Sequence, residues 1–305
     1  MEDIFRDIIK NNIGYTWRGK VATYIPELAK ANPGDLGVCL VTLDGREYSA
    51  GDYSKKFTMQ SISKVLTFIL SLMDNGEKKV FEKVGMEPTG ESFNSIVDLE
   101  LKNIHKPYNP MINAGAIATT SLLAGTSVEE KTERILDLAR KLANNPEIQI
   151  NNSVYLSEKL TGDRNRSIAY FMKSFNIIDG SVEEILDVYF KQCSIEVNCR
   201  DIADMGSVLA NDGVSPKTGK SIVPKHICRI AKTIMSTCGL YDASGEFAVH
   251  IGIPAKSGVG GGIMGAVPKR MGIGVYGPAL DEKGNSIAGI QILKELSDKL
   301  DLQIY

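Results

Sequence analysis

From Ile62 to Met73 the chain is apolar at Ile62, Val65, Leu66, Phe68, Ile69, Leu70, Leu72 and Met73, positions that run nearly all the way round a helix. A helix of that kind has no face to offer water. It predicts a segment from Ser61 to Asn75 that is threaded through a protein core and stopped by Gly76. The run from Val65 to Met73 is broken by Thr67 and Ser71 and is far short of the roughly 20 residues of a membrane span. The rest of the chain must therefore supply the surroundings. Its 305 residues are enough for a large core, and the length suggests about two domains.

Charge excludes several partners. Thirty-five basic and 37 acidic side chains leave a formal net charge of -2, without a long run of either sign. Nothing here recruits nucleic acid or an anionic membrane. The start, MEDIFRDIIKNN, lacks the basic-then-apolar order of an export signal, so a cytoplasmic location is expected. Cys39, Cys193, Cys199, Cys228 and Cys238 are odd in number and show no Cys-x-x-Cys spacing, which speaks against a disulfide framework or structural zinc. His105, His226 and His250 are scattered and read as surface or packing residues, which weakens metal or Ser-His-Asp chemistry.

Strand-like ends enclose a helical middle. Leu36 to Leu43, then Asp44-Gly45, then REYSAG reads as a hairpin, because Asp-Gly supplies the positive φ angles of a tight turn. Ser127 with Glu130 and Ser181 with Glu184 read as capping boxes, and helices dominate from about 61 to 237. Three apolar runs follow, EFAVHIGI, KSGVGGGIMGAV and MGIGVYG, read as adjacent antiparallel strands covered by a last helix from about Ser286 to Leu300. The expected class is α/β (α+β): residues 1–60 and 238–305 form a discontinuous sheet domain flanked by the terminal helices, and 61–237 form an inserted helical domain. The Ser61 helix stands at their interface.

Ser61 and Lys64 lie three apart, on one face of the predicted helix. Burial lowers the pKa of a lysine and leaves a neutral amine able to take the serine proton. The plain alternative is an N-cap serine and a solvated lysine. About one Ser-x-x-Lys arises by chance in a chain of this length, so a second feature is needed. In penicillin-recognising serine enzymes that feature is Lys-Thr/Ser-Gly on a neighbouring strand. Lys217-Thr218-Gly219 is the literal match but sits in a turn-rich loop, whereas Lys256-Ser257-Gly258 has a strand context. A strand there could aim the Val259 N–H, with that of Ser61, at an oxyanion. The glycines beyond it would let a substrate lie against bare backbone, and small residues are expected to be tolerated at Gly260. Gly260 to Gly265 also fits G-x-G-x-x-G, but the dinucleotide fingerprint needs a helix next and a strand-like segment follows.

The chain resembles the serine-dependent glutaminases, which share the β-lactamase-like fold. The resemblance rests on VATYIPELA, FTMQSISKVL, NPMINAGAI, SEKLTGDRN, YFKQCSIEV, CGLYDASGEFA, AKSGVGGGI and GPALDEKGNSIAGI, in order over nearly the whole chain. It implies hydrolysis of L-glutamine to L-glutamate and ammonia, without metal or organic cofactor, by a homodimer or homotetramer. Ser61 would be the nucleophile and Lys64 its base. Asn113, Glu158, Asn165, Tyr189, Tyr241 and Val259 would contact substrate, with Tyr24 and Gln60 lining the pocket and Tyr241 sharing in catalysis. The residue types suit the ligand: Glu158 for the ammonium, and Asn113, Asn165 and Tyr189 for the carboxylate. The Ser-Asp-Asn motif of class A β-lactamases is absent, which makes antibiotic hydrolysis a poor expectation. An ester or peptide hydrolase of the same fold and a non-catalytic binding module remain the alternatives.

Overall fold

The computed structural model describes residues 2–101 and 106–305, so His105 lies outside the described residues. The strands are β1 Gly37–Thr42, β2 Glu47–Gly51, β3 Phe57–Thr58, β4 Gln149–Ile150, β5 Ile195–Val197, β6 Ala255–Ser257, β7 Gly262–Val267 and β8 Met271–Tyr276. The helices are α1 Glu2–Asn12, α2 Ser63–Lys83, α3 Val97–Leu101, α4 Asn113–Ser121, α5 Val128–Ala143 and α6 Asn152–Leu160. They continue as α7 Asp163–Ser174, α8 Val182–Cys193, α9 Cys199–Ala210, α10 Lys225–Cys238, α11 Ser244–His250 and α12 Ile287–Leu300. The main sheet has the order β2-β1-β8-β7-β6 and every pairing in it is antiparallel. The early hairpin thus joins the late strands, as in the β-lactamase-like architecture expected.

Strand alternation divides the core into two layers. In β1, Val38 and Leu40 pack with Phe5 and Ile8 of α1 and Ile292 and Leu296 of α12. Cys39 and Val41 point the other way, into the cluster that holds α2, α5 and α10. β8 does the same with a different instrument: Met271, Ile273 and Val275 face the terminal helices, while Gly272 and Gly274 leave room for α9. A Cβ at Gly272 would meet the Ala203 carbonyl at 2.0 Å, and one at Gly274 the Cys199 carbonyl at 2.1 Å. Helix α9 therefore lies almost on the backbone of the sheet, although it comes from the helical stretch of the sequence.

The long apolar helix is buried from Ser63 to Leu72. At Gly76 the backbone turns to φ 74 and a second helical stretch resumes to Lys83, so the glycine breaks the helix without ending it. The Asp44-Gly45 hairpin closes through Gly45 N–H on the Thr42 carbonyl at 3.0 Å. Only Gly45 of that pair takes positive φ, which is a type I turn with a glycine bulge. Ser127 and Ser181 cap their helices, each accepting the N–H of the glutamate three residues on. The Glu130 carboxylate turns to Thr126 instead of Ser127, and a reciprocal box opens α9 at Asn198 and Asp201.

One expected strand is a helix. EFAVHIGI supplies the end of α11 up to His250 and then a buried stretch outside any strand from Ile251 to Ile253; Phe247 in the helix and Ile251 just beyond it both turn to the core. Val249 between them is 73% exposed. The G-x-G-x-x-G segment leads into β7, not a helix. All five cysteines are free and buried, and His226 and His250 are exposed. No helix among the described residues is long and apolar enough to cross a membrane.

Candidate active site

A three-stranded sheet of order β3-β5-β4 carries the chain into the site. It pairs Phe57 with Val197 and Thr58 with Glu196, and Met59 N–H then donates to the Ile195 carbonyl at 2.8 Å. The next residue, Gln60, adopts φ 49. That left-handed conformation costs a non-glycine residue about 1–3 kcal/mol and persists only where the surroundings enforce it. It turns Ser61 out of the strand direction into a single 3-10 turn, Gln60–Ile62, from which α2 continues. Ser61 is therefore not the N-cap of α2; that position is Ile62, and no side chain caps the helix start.

Around Ser61 stand charges with few counter-ions. Lys64 is wholly buried; its Nζ donates to Asn113 Oδ1 at 2.6 Å and to the Met111 carbonyl at 3.3 Å. Burial pulls its pKa down to about 8, against smaller upward pulls from Cys193 and Glu158. Glu158, on α6, is pushed up to about 7 by burial, offset in part by a hydrogen bond to Gln60 and by Lys64. Asn113, the first residue of α4, uses its side-chain amide as a bridge: Oδ1 accepts from Lys64, and Nδ2 donates to Asn165 Oδ1 at 2.9 Å. Its side chain does not cap its own helix. The Asn165 amide nitrogen remains as a donor.

Tyr241 closes the other side. It is the second bulky residue held in the left-handed region, at φ 56. Its hydroxyl donates to the Ser257 carbonyl at 3.4 Å, and the Ser61 hydroxyl nearby pulls its pKa down against burial. Burial raises the phenol to about 12, so at neutral pH it is a proton donor. Segment 256–260 lies directly against the Ser61 turn: a Cβ at Gly258 would sit 2.5 Å from the Met59 carbonyl and 3.3 Å from the Ser61 nitrogen. A Cβ at Gly260 would meet the Thr58 carbonyl at 2.6 Å. This corrects the expected tolerance at Gly260; the glycines there admit the chain's own neighbouring backbone.

Tyr24, Gln60, Ser61, Asn113, Glu158, Asn165, Tyr189 and Val259 line one cavity, with Lys64 beneath it and Tyr241 beside Ser61. Tyr24 is 55% exposed as a residue but contributes to the cavity wall, where burial, Glu158 and Tyr241 raise its pKa. Sequence reasoning did not single out Phe93, Arg164 or Cys193, which also line the cavity. Phe93 lies 4.8 Å from the Tyr241 ring, centre to centre. Burial and Glu158 raise the Cys193 thiol above its ordinary value. A larger cleft of about 700 Å³ beside Tyr241 has Asp242 as the one charged side chain in its lining and does not include Ser61.

The family model described as Glutaminase matches residues 19–305. The chain belongs to the glutaminase family. It is 62% identical to "Glutaminase 2" of Clostridium perfringens over 305 residues, all of both chains. A crystal structure of Bacillus glutaminase determined in 4.3 M NaCl superposes with a TM-score of 0.92 at 42% identity, covering 99% of this chain and 98% of that one. A Bacillus subtilis glutaminase in covalent complex with 5-oxo-L-norleucine, formed by reaction with 6-diazo-5-oxo-L-norleucine, superposes at 0.91 and 40% identity, covering 100% and 99%.

Proposed function

We propose that this glutaminase hydrolyses L-glutamine to L-glutamate and ammonia through a γ-glutamyl ester on Ser61. The observation that carries the reading is the hydrogen bonding of Lys64. A neutral amine has two N–H bonds and one lone pair, and the Asn113 and Met111 oxygens occupy both N–H bonds. The lone pair is left to take the Ser61 proton. Ser61 Oγ then attacks the side-chain amide carbon, and the carbonyl electrons move onto oxygen between the Ser61 and Val259 N–H groups. As the C–N bond breaks, the proton taken from Ser61 reaches the leaving nitrogen through Tyr241, and ammonia departs. Water next attacks the ester, gives a proton to Lys64, and Lys64 returns it to Ser61. Glu158 binds the substrate ammonium; Asn113, Asn165 and Tyr189 bind its carboxylate; Tyr24 and Gln60 complete the wall. The covalent product that a glutamine-like diazoketone forms with the Bacillus subtilis relative supports a nucleophile in this family.

The same reading takes the enzyme as a cytoplasmic homodimer or homotetramer, which solution mass checks. It treats 1–60 with 238–305 and 61–237 as two domains. Ammonia release from L-glutamine, L-asparagine and D-glutamine tests the function. L-Glutamine is expected to be the substrate, and Ser61→Ala to lose at least about a thousandfold in turnover with an unchanged melting temperature. Near-normal turnover in Ser61→Ala overturns the assignment.

A further inference from the structure

Lys256 is as deeply buried as Lys64, at 0% exposure, and the steps above leave it without a role. Its Nζ donates to the Ser257 carbonyl at 2.6 Å and to the Gly239 carbonyl at 2.9 Å. It also sits 4.3 Å from the centre of the Tyr241 ring. Two carbonyls and one π face account for the three directions in which a lysine head group donates, and no carboxylate is among these partners. The same atoms govern Tyr241. Ser257 O accepts from its hydroxyl at 3.4 Å, and Gly239, two residues before it, accepts the Ser257 N–H at 3.2 Å as well as Lys256. Tyr241 needs such restraint, because its φ of 56 is a conformation a bulky residue leaves when released.

We propose that Lys256 is a positioning residue that acts through Tyr241, seating the phenol ring so that its oxygen stays on Ser61 for proton delivery to the leaving nitrogen. Lys256 ties β6 to the Gly239 turn, and its head group covers the ring face on the side away from solvent. Positive charge over that face favours an electron-rich phenol and eases release of its proton. Burial, with Lys64 adding to it, opposes that charge. The titratable groups facing the pair are Lys64 from α2, Cys193 from α8, Cys238 from α10 and Asp281 from the turn after β8.

The inference rests on the reading of Ser61 and Tyr241 given above, and the test separates the two. Ammonia release from L-glutamine is measured across pH for the full-length protein, Lys256→Met, Tyr241→Phe and the double variant. Expected is a fall in kcat of about a hundredfold for Lys256→Met, the low end of what positioned acid–base groups contribute, with KM within about threefold. The alkaline limb of the kcat profile moves with it. In the Tyr241→Phe background the lysine change costs nothing further. A Lys256→Met enzyme within threefold of the parent, a loss carried by KM, or losses that multiply in the double variant overturns the proposal. Should Lys256→Met not fold, Lys256→Gln, one bond shorter and uncharged, must show a kcat loss that Tyr241→Phe cancels. A parent enzyme that releases no ammonia from L-glutamine sinks the assigned function instead.

Discussion

Two tripeptides of nearly the same composition, Lys217-Thr218-Gly219 and Lys256-Ser257-Gly258, occupy different physical worlds in this molecule. Lys217 reaches from a loop to Asp204 of α9 at 2.7 Å, with its side chain 27% exposed. It has its counter-ion. Lys256 has no exposure and only carbonyls and a ring as partners. The glycines differ in the same way: a Cβ on Gly219 would meet nothing within 4 Å, whereas one on Gly258 would strike the Met59 carbonyl. The literal motif fastens a loop, and the looser one builds the site. A buried lysine denied a carboxylate stays available to chemistry, while a paired one is spent on structure.

The largest test of that contrast lies at Lys64, the other buried lysine without a paired carboxylate. Lys64→Met is expected to lower turnover by about a thousandfold and to raise the melting temperature. The sign follows from linkage. A lysine held near 8 in the folded state, below its ordinary 10.5, costs stability as pH falls through the interval between the two values, and the full cost is present at neutral pH. The thermal gain should vanish above about pH 10.5; a melting temperature that falls at pH 7 breaks the contrast. For the parent enzyme, kcat/KM should climb from pH 6 to 9 as Glu158 ionises near 7 and Lys64 loses its proton near 8.

Next comes the glycine pair. Gly258→Ala should cost about 1–3 kcal/mol and displace the nucleophile turn, with turnover down about tenfold or more. Gly219→Ala, at φ 68 with open space around it, should cost about 1–2 kcal/mol from the left-handed backbone alone, with ammonia release intact. The smallest effect on activity is expected for Lys217→Met: turnover within about twofold, with a lowered melting temperature. Burial raises Asp204 to about 6, so its charge penalises folding as pH rises past the ordinary carboxylate value toward 6. The melting deficit of Lys217→Met should therefore be deep at pH 8 and shallow at pH 5. Turnover loss like that of Lys256→Met would erase the distinction.

How much of this the sequence carried depends on range. Local signals read well: the apolar all-round helix, the hairpin joined to late strands, the last helix from about Ser286, and strand context as the reason to prefer Lys256 over Lys217. The cavity does gather the residues that the glutaminase resemblance named, but no spacing rule joins Glu158 to Gln60 across 97 intervening positions. EFAVHIGI misled because valine and isoleucine suggest strand, while the burial of Phe247 and Ile251 has a period of four that the exposed Val249 obscures. The strands β3, β4 and β5 are only two or three residues each, too short for any pattern. Gly260 was misjudged since its neighbour, the Thr58 carbonyl, belongs to a part of the chain two hundred residues away.

The pairing of β1 with β8 also sets a timetable for synthesis. Gly37 must wait for Tyr276 to emerge, and the Ser61 turn waits for the 256–260 segment that packs against it. On a ribosome the hairpin and the Ser61 turn are therefore made early and stay unfinished, with an open sheet edge, until the last tenth of the polypeptide appears. A nascent chain halted before residue 255 would carry both Ser61 and Lys64 and still be a mute enzyme.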